Sequence, residues 1–130
     1  MASWSELDRF PCGVGPELAD ELLALILIGR KTATCWRAEE GSKGTEVGKL
    51  WVVEDGAGRA RAVLQTLELT QRRFSGVDHA FAADEGEGDQ SLEYWRAAHQ
   101  KYFSGNGEFA PDMMLWCERF SLVQIIEVQA

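Results

Sequence analysis

The chain has 130 residues, 45% of them apolar and 26% charged, which fits a single domain spanning 1–130 and excludes a disordered or collagen-like chain. Its 13 Lys and Arg face 21 Asp and Glu, a formal net charge of -8, which argues against a grip on long nucleic acid by phosphate neutralisation and favours a small ligand. Cys12, Cys35 and Cys117 are odd in number and lack CxxC spacing, so neither a disulfide framework nor a cysteine-rich zinc site is expected.

The longest apolar run, Leu22 to Ile28, falls well short of the roughly 20 residues of a membrane span, and the acidic start lacks the basic residues of a signal peptide. A cytoplasmic protein with reduced thiols and no membrane partner is expected.

In chain order, Pro16 suits a helix's first turn, Glu17, Asp20 and Glu21 suit the positive end of its dipole, and Leu18, Leu22, Leu25 and Ile26 share one face. Gly29 ends this helix. The next segment, Arg30 to Cys35, is rich in β-branched residues and reads as turning into a strand, followed by an exposed loop from Glu39 to Gly48. Val47 to Glu54 and Ala60 to Leu69 read as strands joined at Asp55-Gly56-Ala57-Gly58 into a hairpin. After a turn near Ser75-Gly76, a short segment ends in the acidic turn Asp84 to Asp89. A helix from about Ser91 to Phe103 follows, with Leu92, Trp95 and His99 on one face, and Gly105-Asn106-Gly107 breaks it. Met113 to Val123 alternates as a strand, with Met114, Trp116, Glu118 and Phe120 opposite Met113, Leu115, Cys117 and Arg119. The order predicts an α+β fold whose mixed or largely antiparallel sheet curls into a small barrel.

Several chemistries fail on spacing. Gly29-Arg30-Lys31-Thr32 lacks the P-loop pattern, and no GxSxG, HExxH or GxGxxG occurs. Two histidines, His79 and His99, are too few for a multi-histidine metal centre, and the acidic turn lacks EF-hand spacing, so no metal is expected. Asp84, Glu85, Glu87, Asp89 and Glu93 nevertheless crowd together without a positive charge nearby in sequence, which is costly unless a cation answers them. Lys31, three residues before Thr34 at a helix-to-strand junction, is one candidate. Among five tryptophans, Trp36 and Trp51 are the candidates for a pocket mouth, where an indole stacks on a nucleobase.

Five blocks stand in order over residues 16–124: Gly29-Arg30-Lys31-Thr32-Ala33-Thr34-Cys35; Val47-Gly48; Phe81-Ala82-x-x-Glu85-Gly86-Glu87-Gly88-Asp89; Tyr94-Trp95-x-x-x-His99-x-x-Tyr102-Phe103; and Asp112-Met113-x-Leu115-x-Cys117-Glu118-Arg119-Phe120. Together they resemble the ASCH domain family. The resemblance implies a PUA-like β-barrel with flanking helices, whose cleft holds RNA or a nucleoside. Some members hydrolyse N4-acetylcytidine and related N4-acylcytidines with a lysine, a threonine and a glutamate that match Lys31, Thr34 and Glu85 here. On that reading Arg30, Thr32, Trp36, Trp51 and Glu87 bind the substrate, a small nucleoside or a short single-stranded RNA, and no cofactor is needed. The alternatives are a non-catalytic reader of RNA or a modified nucleotide and, second, a ribonuclease. The stretch Trp36 to Gly48 departs from many relatives by lacking a tyrosine and a proline and by placing Glu46 where a lysine stands, which weakens the ribonuclease reading most.

Two schemes divide the roles within the proposed triad. Thr34 is the nucleophile, and either a neutral Lys31 is its base beside a protonated Glu85, or Lys31 stays charged at the oxyanion while Glu85 accepts the proton.

Overall fold

The structure is a computed structural model that describes residues 4–13, 15–105 and 107–127. Five strands form one mixed sheet: β1 (Arg9–Pro11), β2 (Ala33–Arg37), β3 (Leu50–Glu54), β4 (Ala60–Arg73) and β5 (Met114–Ile125), in the order β1-β3-β4-β5-β2. The β1–β3 pair is parallel and the others are antiparallel. Helices α1 (Pro16–Leu27), α2 (His79–Glu85) and α3 (Leu92–Gly105) complete the α+β architecture.

Local chemistry sets the element ends. Pro16 opens α1, which buries Ala19, Leu22, Leu23 and Ile26. The β3–β4 hairpin closes at Asp55, whose carboxylate accepts from the Ala57 and Arg59 amides and the Arg59 and Arg61 guanidiniums. These bonds outweigh the opposing effect of burial and hold the carboxyl at a pKa of about 2. Register shifts near Val63 and between Thr66 and Glu68 mark irregularities that bend the β4–β5 ladder. The first part of β4 pairs with both β3 and β5, and its second part with β5 alone.

The expected alternation of β5 is present. Leu115 and Cys117 pack with Phe81, Trp95 and Phe103 from α2 and α3, whereas Phe120 joins the cluster around α1 and Trp51.

Four expectations of extent are corrected. Strand β3 starts at Leu50, not Val47, because Gly48 takes a positive φ of 92° and leaves Val47 exposed. Strand β4 runs on to Arg73 because β5 offers a partner that far. The segment before the acidic turn is helix α2, capped by Asp78, whose carboxylate accepts from the Phe81 amide. The three-residue β1 is an addition. Of the expected break after α3, Asn106 lies outside the described residues.

Candidate active site

Two helix ends carry the charged centre. Gly29, at φ 80°, reverses the chain after α1, and the Arg30 and Lys31 amides both donate to the Leu25 carbonyl, which swings Lys31 inward. Helix α2 ends at Glu85, followed by Gly86 in the left-handed region at φ 75°. A Cβ on Gly86 would lie 2.4 Å from the Arg30 carbonyl oxygen, so only glycine lets the two chain reversals approach. The Thr32 amide donates to the Asp84 carbonyl at 2.7 Å, and the Arg30 guanidinium donates to the Gly86 carbonyl at 2.7 Å and to the Gly88 carbonyl.

Lys31 and Glu85 are each 1% exposed, with Lys31 Nζ 2.7 Å from Glu85 Oε1 and 3.4 Å from Glu87 Oε2. Glu85 Oε2 accepts from Trp95 Nε1 at 2.9 Å and lies 3.4 Å from His99 Nε2. The His99 ring stacks on Trp95 with centroids 4.2 Å apart, and its Nδ1 meets the Trp95 carbonyl at 2.8 Å, which presents Nε2 to Glu85. Burial alone would neutralise these groups. For Lys31, the charges of Glu85 and then Glu87 outweigh burial and raise the pKa. For Glu85, the Lys31 charge and the His99 hydrogen bond outweigh burial and lower it. For His99, burial is the largest single effect, but the bond to Glu85 together with the charges of Glu85 and Glu87 outweighs it, and the net shift is upward. The unliganded centre is therefore a charged pair, Lys31 as ammonium and Glu85 as carboxylate.

The rest of the acidic turn is also answered: Asp84 accepts from Arg119 at 2.9 Å, and Asp89 accepts from the Ser91 amide at the start of α3. Glu87, with a side chain 21% exposed, sits at the rim.

The ion pair opens on a cavity of about 210 Å³ lined by Lys31, Thr34, Cys35, Glu85, Glu87 and His99, among others. A larger cavity of about 490 Å³ holds Trp36, Trp51, Arg37, Lys43 and Glu118 in its wall. Thr34, Cys35, Gly13 and Tyr102 line both, so the two are adjoining chambers with Thr34 between them. Burial pushes the Cys12 thiol up to about 11.

The sequence-predicted residues divide accordingly. Lys31, Thr34, Glu85 and Glu87 meet at the smaller chamber, and Trp36 and Trp51 line the larger one. Arg30 and Thr32 line neither; they bind main-chain carbonyls and fix the acidic turn against the start of β2. Sequence reasoning left His99, Cys35 and Glu118 without roles. His99 carries a signal in hindsight, one helical turn after Trp95 and in the same block of the family pattern.

Cys35 Sγ, a Glu85 oxygen and a His99 ring nitrogen lie within 4.8 Å of one another, a spacing suited to a metal ion. The donor chemistry opposes it. Lys31 already occupies Glu85 Oε1, Trp95 donates to Oε2, and burial holds the Cys35 thiol well above its ordinary range, so a cation would meet an ammonium and a thiol reluctant to ionise.

A sheet of this order with a buried Lys–Glu pair between two helix ends, facing a cavity, defines a small α+β domain. A family model for the ASCH domain matches residues 10–124, and the chain belongs to that family. It is 31% identical to an ASCH domain from Lactobacillus crispatus, with a TM-score of 0.79 over 90% of this chain and 79% of that one. It is 27% identical to protein EF3133 from Enterococcus faecalis, with a TM-score of 0.78 over 91% and 77%. The hypothetical protein PH0355, 13% identical, shares the fold at a TM-score of 0.60 over 80% and 93%. No curated protein matches the chain. No helix among the described residues is long and apolar enough to cross a membrane.

Proposed function

We propose that this ASCH domain is an amidohydrolase that removes the acyl group from N4-acylated cytosine nucleosides. The observation that carries the reading is the buried Lys31–Glu85 pair facing a chamber that Thr34 also lines. Amide hydrolysis needs a nucleophile, a proton carrier and charge stabilisation at the oxyanion, and these three side chains supply one each.

The charged state of the pair favours one of the two sequence-level schemes. Lys31, an ammonium held by two carboxylates, is no base; it stabilises the developing oxyanion. Thr34 Oγ1 attacks the acyl carbonyl carbon, and its proton passes to Glu85 directly or through one water. As Lys31 turns its charge to the oxyanion, its hold on Glu85 weakens and the carboxylate gains basicity. Glu85 then delivers the proton to N4, the C–N bond breaks and the cytosine nucleoside leaves. Water attacks the threonyl ester, its proton returns through Glu85 to Thr34 Oγ1, and the free acid departs. The smaller chamber takes the acyl group and the larger one the nucleoside.

Incubation with N4-acetylcytidine is expected to yield cytidine and acetate. Thr34→Ala and Glu85→Gln are each expected to lose about 100-fold or more in turnover. Lys31→Ala also leaves Glu85 buried without its ammonium, at a stability cost of roughly 3–5 kcal/mol, so its activity is compared on folded protein only. Full turnover by Thr34→Ala overturns the scheme, and saturable nucleoside binding with no product points instead to a reader of modified bases.

A further inference from the structure

Glu118 is a carboxyl that the hydrolytic scheme leaves unused. It is 2% exposed and stands directly across the β2–β5 ladder from Thr34, so the two side chains lie on the same face with Cβ atoms about 5 Å apart. Both line the larger chamber. Thr66 Oγ1 donates to Glu118 Oε2 at 2.7 Å and Trp51 Nε1 donates to the same oxygen at 3.0 Å. No ion pair among the described residues includes Glu118, whereas Glu85, Asp84 and Glu68 each have a cation.

Burial without a partnering cation favours the neutral acid, and because Thr66 and Trp51 both donate to Oε2, the proton of that acid belongs on Oε1. Burial pushes the Glu118 carboxyl up, and the bonds from Thr66 and Trp51 offset this only in part. A buried neutral acid is a hydrogen-bond donor, unlike the ionised Glu85.

We propose that Glu118 determines base specificity in the larger chamber by donating Oε1–H to ring N3 of the cytosine. The proposal rests on the hydrolase reading for the identity of the ligand. The geometry fits it. N4 and N3 are neighbours across one ring carbon, so an acyl group delivered to Thr34 brings N3 toward the residue opposite Thr34 on the adjacent strand. Cytosine offers an acceptor at N3, and uracil offers a donor N3–H at that place, which meets a carboxyl whose accepting oxygen already takes two hydrogen bonds. Glutamine is the faithful mimic: its carbonyl accepts from Trp51 and Thr66, and its amide N–H takes the place of Oε1–H.

The test is calorimetric titration of the protein with cytidine, uridine and 3-deazacytidine, the last lacking only the N3 acceptor. The wild type is expected to bind cytidine about 10-fold or more tightly than the other two. Glu118→Gln is expected to keep that preference within about 3-fold, and Glu118→Leu to bind all three alike. Equal affinity of the wild type for the three nucleosides, or none for any, overturns the proposal without any variant having to fold. Loss of the preference in Glu118→Gln overturns it too, since that result assigns an ionised carboxylate. The cytidine preference without hydrolysis of N4-acetylcytidine keeps this assignment and removes the hydrolase. Hydrolysis untouched by Glu118→Leu does the reverse.

Discussion

At the scale of single residues, the centre is an exercise in opposing terms. Lys31 and Glu85 lose nearly all contact with water, which penalises both charges, yet each is the other's remedy at 2.7 Å. His99 adds a second, pH-dependent cation to Glu85. Its folded-state pKa is raised above that of a free imidazole, so the stability it contributes is fully present below the free value and is lost as pH rises through the folded one. The difference in Tm between wild type and His99→Gln is therefore expected to be largest near about pH 5 and to shrink by about pH 9, measured by thermal melts in matched buffers. A gap that does not change with pH removes the imidazolium from the centre.

Among the elements, the helix ends do the positioning, and the Gly86 approach brings two of them into close contact. Gly86→Ala combines a left-handed φ with a contact no Cβ tolerates, so it is expected to cost roughly 1–3 kcal/mol in denaturant unfolding and to lower activity by displacing Glu85. Unaltered stability would mean that α2 docks on Arg30 less closely than described. The sequence made α1, α3, the hairpin and β5 readable because each carries its period over many residues, or a turn motif between two such runs. It hid what depends on distant partners. β1 is three residues including a proline, held by parallel pairing to β3, a contact no local pattern announces. The polar end of β4, Thr70 to Arg73, resembles a loop until β5 is laid beside it. Helix α2 was masked by the carboxylates that follow it. Lys31, Thr34 and Glu85 were legible through the family blocks, and Glu118 was not, because alternation marks a buried face of β5 while giving no warning that a carboxyl on it lies opposite Thr34.

For the whole molecule, the net charge of -8 bears on what reaches the chambers. A polyanionic RNA is repelled by such a surface, and salt screens the repulsion within about 10 Å at 0.1 M. N4-acetylcytidine within a long RNA is thus expected to react more slowly than the free nucleoside, with the difference narrowing as salt rises; a kinetic comparison at two ionic strengths checks it, and faster reaction of the polymer at low salt contradicts it. The clasp that joins the two halves of the centre is made to the carbonyl oxygens of Asp84, Gly86 and Gly88, groups that every amino acid carries. Because those bonds ask nothing of the side chains, replacing Glu87 would reshape the rim of the smaller chamber while the fastening underneath stays put.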